Sequence, residues 1–396
     1  MVADRLLLPA PSASVKMTRT RVQYPRCSLV SAVAVILCYL MLKMYHHLVV
    51  PLDSKSPPFH QIHTRPFWSN ISRSGTASPP AGPYTVQENF TCSANDSAEV
   101  IPSHLPQSYQ EFLRYRHCRA FPILLTPSPC EDDLYLLLAV KSTAVNVDRR
   151  AALRDTWGCA GRIQGHKVKL VFLMGRSHDK VQDHDPQQLL QSESRHYGDI
   201  LQWDFADIFF NLPRKEVGFL SWFSRKCSSA QFVFKGDDDM FVNTENLVEF
   251  LTAHKPENHL FAGFIHSPEM PIRDRSSKYF VPVEIYPEGK LYPPFPSGGG
   301  YLMSRQTMLG LDVAAQKVKL LPLDDVFLGL CLQQMGVKLT HHRGFLTFGI
   351  DNKNDLKHPC FYRGIMLMHK MSPVELRVMW LLMQDSPPCG SSGKTL

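Results

Sequence analysis

The run Leu134-Tyr135-Leu136-Leu137-Leu138-Ala139-Val140 is apolar at every position, so neither face of it is suited to water. A strand of that kind belongs in the middle of a parallel sheet covered on both sides. After it, Arg149 to Trp157 reads as a helix, with Asp148 placed to cap it and Gly158 to end it, which makes a βα unit. The alternation continues through strands at Val168 to Met174 and Ile200 to Phe205, and helices at Gln187 to Tyr197 and Pro213 to Cys227. Phe232-Val233-Phe234 is the next strand, and Leu260 to Ile265 and Lys278 to Val283 are further strand expectations. This pattern predicts an α/β fold, a mostly parallel sheet with helices on both faces. No Gly-x-Gly-x-x-Gly or phosphate-loop motif follows the first strand, which counts against dinucleotide oxidoreductases and nucleoside triphosphatases.

Phe232-Val233-Phe234 leads directly into Lys235-Gly236-Asp237-Asp238-Asp239-Met240-Phe241-Val242-Asn243. The strand thus delivers three carboxylates at its carboxyl end, where open α/β sheets bind ligands. Adjacent acids repel unless a cation or solvent shares their charge, and strand alternation points Asp237 and Asp239 the same way. An exposed acidic turn is the plain alternative. A helix-loop-helix calcium site fits poorly, because the expected glycine is missing and Glu249 falls one place late. Hard oxygen ligands at a strand end suit magnesium or manganese, bound jointly with substrate phosphates.

Three other stretches carry signals with ordinary alternatives. Gly298-Gly299-Gly300 lets the backbone approach a ligand closely, or is simply a flexible loop. Asp324-Asp325 opens a helix, so Asp324 serves either chemistry or as its cap. His369, taken alone, reads as a core histidine.

The first ninety residues differ from the rest. Cys27 to Leu42 is uncharged and follows Lys16, Arg19, Arg21 and Arg26, a pattern that keeps the amino terminus cytoplasmic and carries the remainder across a membrane. No small-x-small cleavage site follows, which favours a retained anchor over a cleaved signal peptide. Next comes a stretch rich in Pro, Ser, Thr and Asn, with glycosylation sequons at Asn70, Asn89 and Asn95. The expected division is a cytoplasmic tail at 1–26, a transmembrane signal anchor at 27–48, a lumenal stem at 49–105 and a globular domain at 106–396. Eight cysteines beyond the anchor permit disulfides without revealing their pairing. The net charge of +7 is scattered and gives no support to a nucleic-acid partner, while an anionic substrate such as a nucleotide sugar is compatible.

From about Cys92 onward the chain resembles the β-1,3-glycosyltransferases that include galactosyl- and N-acetylglucosaminyltransferases. The likeness is carried by Arg149-Arg150 to Arg154-Asp155-Thr156-Trp157-Gly158, Tyr197-Gly198-Asp199-Ile200-Leu201, Asp204-Phe205 with Asp207, Lys235 to Asn243, Tyr292 to Tyr301, and Asp324-Asp325-Val326. Lys235 to Asp239, the triple glycine, Asp324-Asp325-Val326, Tyr115 to Arg119 and Pro359 to Arg363 resemble the N-acetylglucosaminyl branch. Asn211-Leu212-Pro213 departs from the family's Asn-Leu-Thr, losing a glycan site there.

The resemblance implies a GT-A fold in a single-pass type II Golgi membrane protein, with a galactose-terminated glycan as acceptor. It implies inverting transfer of GlcNAc from UDP-GlcNAc to the 3-hydroxyl of galactose. On that likeness Asp239 and His369 hold the metal ion; Arg149, Arg154, Asp237, Asp238, Gly299 and Gly300 meet the donor; and Asp325 is the base. Homo- and hetero-oligomers are both compatible with it. The alternatives are a β-1,3-galactosyltransferase using UDP-galactose and, with less weight, an inactive chaperone of the same fold, which should lack some of these acids.

Overall fold

The computed structural model describes residues 92–94, 101–177, 185–348, 358–387 and 389. The expected anchor and the asparagines Asn70, Asn89 and Asn95 lie outside these residues. Among the described residues no helix is long and apolar enough to cross a membrane.

Helix α1 (Gln107–Arg114) precedes β1 (Ile123–Leu125), β2 (Leu134–Lys141) and α2 (Val147–Asp155). Then come β3 (Gly161–Ile163), β4 (His166–Arg176), α3 (Pro186–Tyr197), β5 (Ile200–Ala206) and α4 (Leu212–Lys226). The acidic strand is β6 (Phe232–Asp237), followed by β7 (Met240–Val242), α5 (Thr244–Thr252), β8 (Phe261–His266) and β9 (Phe295–Ser304). Helices α6 (Arg305–Lys317) and α7 (Asp324–Met335), strands β10 (Thr340–His341) and β11 (Phe345–Leu346), α8 (Pro359–Arg363), β12 (Leu367–His369) and α9 (Pro373–Asp385) complete the order.

The main sheet runs β1-β5-β4-β2-β6-β9-β8-β10. Its centre is parallel, β2 pairing with β4 and β6, and β4 with β5, while β9 enters antiparallel between β6 and β8. Strand β2 shows why its sequence has no polar face. Leu137 and Ala139 join one buried cluster with Val217, Phe219 and Trp222 of α4, whereas Leu136, Leu138 and Val140 join a second with Leu153 of α2 and Leu247 of α5. Each fully buried leucine contributes about 1.5–3 kcal/mol through burial, so both faces of this strand hold the layers together. A smaller sheet, β11-β12-β7, lies at the end of the acidic strand.

Three expectations about local structure are corrected. Asp148 lies within the first turn of α2, and Asn146 occupies the cap position. Lys278 to Val283 forms turns: Pro282 can donate no ladder hydrogen bond, and Phe280 N donates back to Ser277 O. The triple glycine is part of strand β9. A Cβ on Gly300 would stand 2.9 Å from both Leu367 Cδ2 and Met240 Cε, so the absent side chain is what lets the two sheets close.

Disulfides join Cys92 to Cys118, Cys130 to Cys227 and Cys360 to Cys389.

Candidate active site

Strand register assembles the acidic end of the sheet. Lys141, the last residue of β2, is paired with Asp237, the last residue of β6. Lys141 Nζ lies 3.1 Å from Asp237 Oδ1 and 3.1 Å from Asp324 Oδ2, joining the acidic strand to the start of α7. Burial opposes the charge on Lys141, but the two carboxylates outweigh it and hold the ammonium well above its usual range.

Strand β7 runs antiparallel to β12 with His369 opposite Met240, which returns His369 to the acids. His369 Nε2 lies 3.0 Å from Asp239 Oδ1, and His369 Nδ1 lies 3.1 Å from the Thr347 carbonyl. A carbonyl only accepts, so Nδ1 carries the proton and Nε2 is left to face the carboxylates. It does so either as an imidazolium or through a lone pair directed at a shared cation. The hydrogen bond to Asp239 raises the His369 pKa against burial; Asp239 is held below its ordinary range because His369 and Arg149 outweigh its own burial. Ligand atoms of Asp237, Asp239 and His369 all lie within 4.8 Å of one another. Two carboxylates and one oriented imidazole fit a hard or borderline divalent ion.

Asp238 points elsewhere. It accepts from Ser142 Oγ at 2.7 Å, Asn146 Nδ2 at 2.9 Å and Arg149 at 2.9 Å. These bonds fasten the acidic turn to β2 and α2.

Asp324 and Asp325 are divided by their partners. Burial works against ionising Asp324, but Lys141 and Lys235 keep its pKa low. Asp325 forms no ion pair among the described residues: burial and the neighbouring Asp324 push its carboxyl up to about 7, against a weaker opposing pull from Lys141. Neither caps α7 through its side chain, since Leu323 occupies the cap position and Asp325 Oδ1 accepts from Val326 N at 2.8 Å. The expected choice between cap and chemistry for Asp324 is therefore replaced by an ion pair with Lys141.

Lys141, the three acids of the turn, Asp324, Asp325 and His369 line one cleft of about 810 Å³, within the usual range for small-ligand sites. Ile208, Phe209, Tyr279, Tyr292 and Phe295 add an aromatic and apolar wall to the same lining, together with the charged Glu269 and Lys278.

A family model described as galactosyltransferase matches residues 148–343. Over 319 residues the chain is 43% identical to the Homo sapiens N-acetyllactosaminide beta-1,3-N-acetylglucosaminyltransferase 4, covering 78% of this chain and 83% of that protein. It is 42% identical over 342 residues to the Rattus norvegicus UDP-GlcNAc:betaGal beta-1,3-N-acetylglucosaminyltransferase 7, covering 83% and 85%. A third relative, the Mus musculus acetylgalactosaminyl-O-glycosyl-glycoprotein beta-1,3-N-acetylglucosaminyltransferase, is 43% identical over 299 residues, covering 73% and 76%. The chain belongs to the galactosyltransferase family.

The cleft of this galactosyltransferase-family chain contains Arg149, Asp237, Asp238, Asp239, Gly299, Asp325 and His369 from the residues that the sequence singled out. Two others lie elsewhere. Arg154, expected at the donor, is bound by Glu193 at 2.8 Å and Asp199 at 2.7 Å and lies over the Tyr197 ring. Its guanidinium ties α2 to α3 and β5 and does not line the cleft. Gly300, also expected at the donor, is buried against Leu367, Met240 and Phe234.

Sequence reasoning missed Lys141, Ser142 and Tyr292. Lys141 was visible as the first charge after the apolar run, at the strand end where ligands gather. Tyr292 was quoted within a motif but given no role. Its hydroxyl and that of Thr347 are buried without a hydrogen-bond partner among the described residues, and both residues line the cleft.

Proposed function

We propose that the protein transfers GlcNAc from UDP-GlcNAc to the 3-hydroxyl of a terminal galactose, with inversion, on a GT-A type fold. The observation that carries this reading is that Asp325 shares one cleft with the Asp237–Asp239–His369 group, in a chain about 42–43% identical to relatives named for GlcNAc transfer to galactose.

In that arrangement the acidic strand end receives the nucleotide diphosphate. Positive charge for the departing diphosphate is what a divalent ion, manganese foremost, supplies when bound there. Asp239 and His369 would hold it, with Asp237 alongside. Arg149 meets the donor from α2. Asp325, ionised, takes the proton of the acceptor hydroxyl as the oxygen attacks the anomeric carbon from the opposite side. One base and one displacement give inversion. The aromatic wall offers apolar faces to the galactose-terminated acceptor and keeps water from competing with it.

The charge pattern before residue 27 and the sequons beyond it support a single-pass type II Golgi membrane protein with a lumenal catalytic domain. Full-length protein in sealed microsomes should have a protease-protected domain and shift in mobility on deglycosylation; a protease-sensitive, unglycosylated domain would overturn that topology. Purified protein should convert a galactose-terminated acceptor with UDP-GlcNAc and manganese, faster than with UDP-galactose. A higher rate with UDP-galactose would move it to the galactosyl reading.

A further inference from the structure

We infer that the Tyr292 hydroxyl is a specificity-determining contact for the acceptor sugar, hydrogen-bonding a galactose hydroxyl other than the one that reacts; this rests on the proposed GlcNAc transfer to galactose. Tyr292 is 4% exposed and its ring lines the cleft, yet its oxygen has no hydrogen-bond partner among the described residues. A buried phenol left unpaired lowers the stability of the free protein, because the hydroxyl has given up water and received nothing in exchange. Such a cost is retained where a ligand completes the bond.

The surroundings fix where the hydroxyl is presented. Tyr292 N donates to Glu269 O at 2.8 Å, and Pro293 and Pro294 follow it, so the backbone here has little freedom. The ring meets Tyr286 edge-on at 4.8 Å and Phe295 edge-on at 6.0 Å. Helix α7 closes directly on this segment: a Cβ on Gly329 would stand 2.7 Å from Phe295 Cβ and 2.9 Å from Pro294 O. The segment bearing Tyr292 is therefore packed against the helix whose first turn carries Asp325. Burial raises the phenol's pKa far above neutrality against the opposing charge of Arg273, with smaller upward contributions from Tyr286 and Asp325. The group remains protonated and can donate to a sugar oxygen as well as accept.

Tyr292 shares the cleft with Asp325, the group proposed to take the acceptor's proton, and its segment is packed on the helix that carries Asp325, which assigns this contact to the acceptor. A site built to hydrogen-bond a hydroxyl discriminates strongly against an analogue lacking it, because the protein group is then left unpaired. The same logic makes the deletion of the phenolic oxygen a clean perturbation, since phenylalanine keeps the ring and its packing.

The test compares wild type with Tyr292→Phe in the full chain, measuring steady-state kinetics on a galactose-terminated acceptor, UDP affinity by calorimetry with manganese, and thermal midpoint. The expected result is a loss of roughly tenfold or more in kcat/KM for the acceptor, the size of one well-placed hydrogen bond. UDP affinity should be unchanged, and the midpoint equal or higher because an unpaired buried group has gone. Deoxygalactose acceptors supply a second arm: one deoxy position other than the 3-position should be poor for wild type and no worse for Tyr292→Phe. Unchanged acceptor kinetics, a parallel loss of UDP affinity, or a lowered midpoint would overturn the assignment. Wild-type protein inactive on galactose acceptors would instead overturn the proposed function and this contact with it.

Discussion

Asp324 is joined to Lys141 by a 3.1 Å ion pair, while its neighbour Asp325 forms no ion pair among the described residues. The adjacent carboxylates thus reach opposite ends of the titration range, one held ionised and the other raised to about 7 by burial and by the charge beside it. Of the two, Asp325 is the one free to accept a proton from a substrate. Asp325→Asn removes basicity while keeping size, and turnover should fall at least about a hundredfold with UDP affinity nearly unchanged. Single-turnover kinetics beside calorimetry checks both arms; near-normal turnover would show that another group is the base.

The same carboxyl should govern the acidic limb of the pH profile. Ionised Asp325 is the active form, so kcat/KM should rise with pH around a midpoint near 7. A flat profile from pH 5 to pH 8 would contradict this.

Stability moves the other way. A carboxyl whose folded-state pKa is raised stabilises the fold fully below its unfolded value of about 3.9, and that contribution is lost as pH climbs through about 7. Asp325→Asn escapes the loss. Its thermal midpoint should exceed that of wild type by about 2–4 °C at pH 8 and by less at pH 5, as read by scanning calorimetry.

Removal of the divalent ion should abolish transfer, with manganese restoring it. Asp239→Ala and His369→Ala should remain folded and lose most manganese-dependent UDP affinity, because each removes a ligand from the group they form with Asp237. Unaltered UDP binding in chelator would reject the assignment.

The sheet centre was legible because Leu134 to Val140 and Phe232 to Phe234 announce strands buried on both faces. The acidic turn was legible because three carboxylates at a strand end ask for a counter-charge. Lys141 stood out as the first charge after the apolar run, but its pairing with Asp237 did not, since that depends on β2 lying beside β6, which local sequence does not encode. His369 was reached only through family resemblance; its nearness to Asp239 depends on the pairing of β7 with β12. For Gly298 to Gly300 the sequence left ligand approach and a flexible loop open and did not foresee a strand, because glycine disfavours strands locally, whereas here close packing between two sheets overrides that preference. Arg154 was assigned to the donor on its motif alone, and the carboxylates that claim it, Glu193 and Asp199, lie beyond the next strand.

Arg154 supplies a direct check on that correction. It is mostly buried among Glu193, Asp199, Phe172 and Tyr197, so Arg154→Ala leaves two carboxylates short of a partner. We expect a stability loss of about 3 kcal/mol by denaturant titration, with UDP affinity of the folded protein unchanged. A folded, fully stable variant that binds UDP weakly would restore Arg154 to the donor site.

Neighbouring glycines should respond in opposite ways. At Gly300 an added methyl would meet Leu367 Cδ2 and Met240 Cε at 2.9 Å and Phe234 Cζ at 3.0 Å, contacts that force the interface between the two sheets apart. Gly300→Ala should therefore cost about 1–3 kcal/mol of stability by overpacking. At Gly298 the methyl would meet only Asp325 Oδ2 at 3.7 Å and Lys141 Nζ at 4.0 Å, which are ordinary contacts. Gly298→Ala should keep its thermal midpoint and instead lower turnover, because the methyl stands where substrate would approach Asp325. Denaturant titration and kinetics on the pair separate the two roles; a stable Gly300→Ala with weakened UDP binding would return Gly300 to the donor site and remove it from the core.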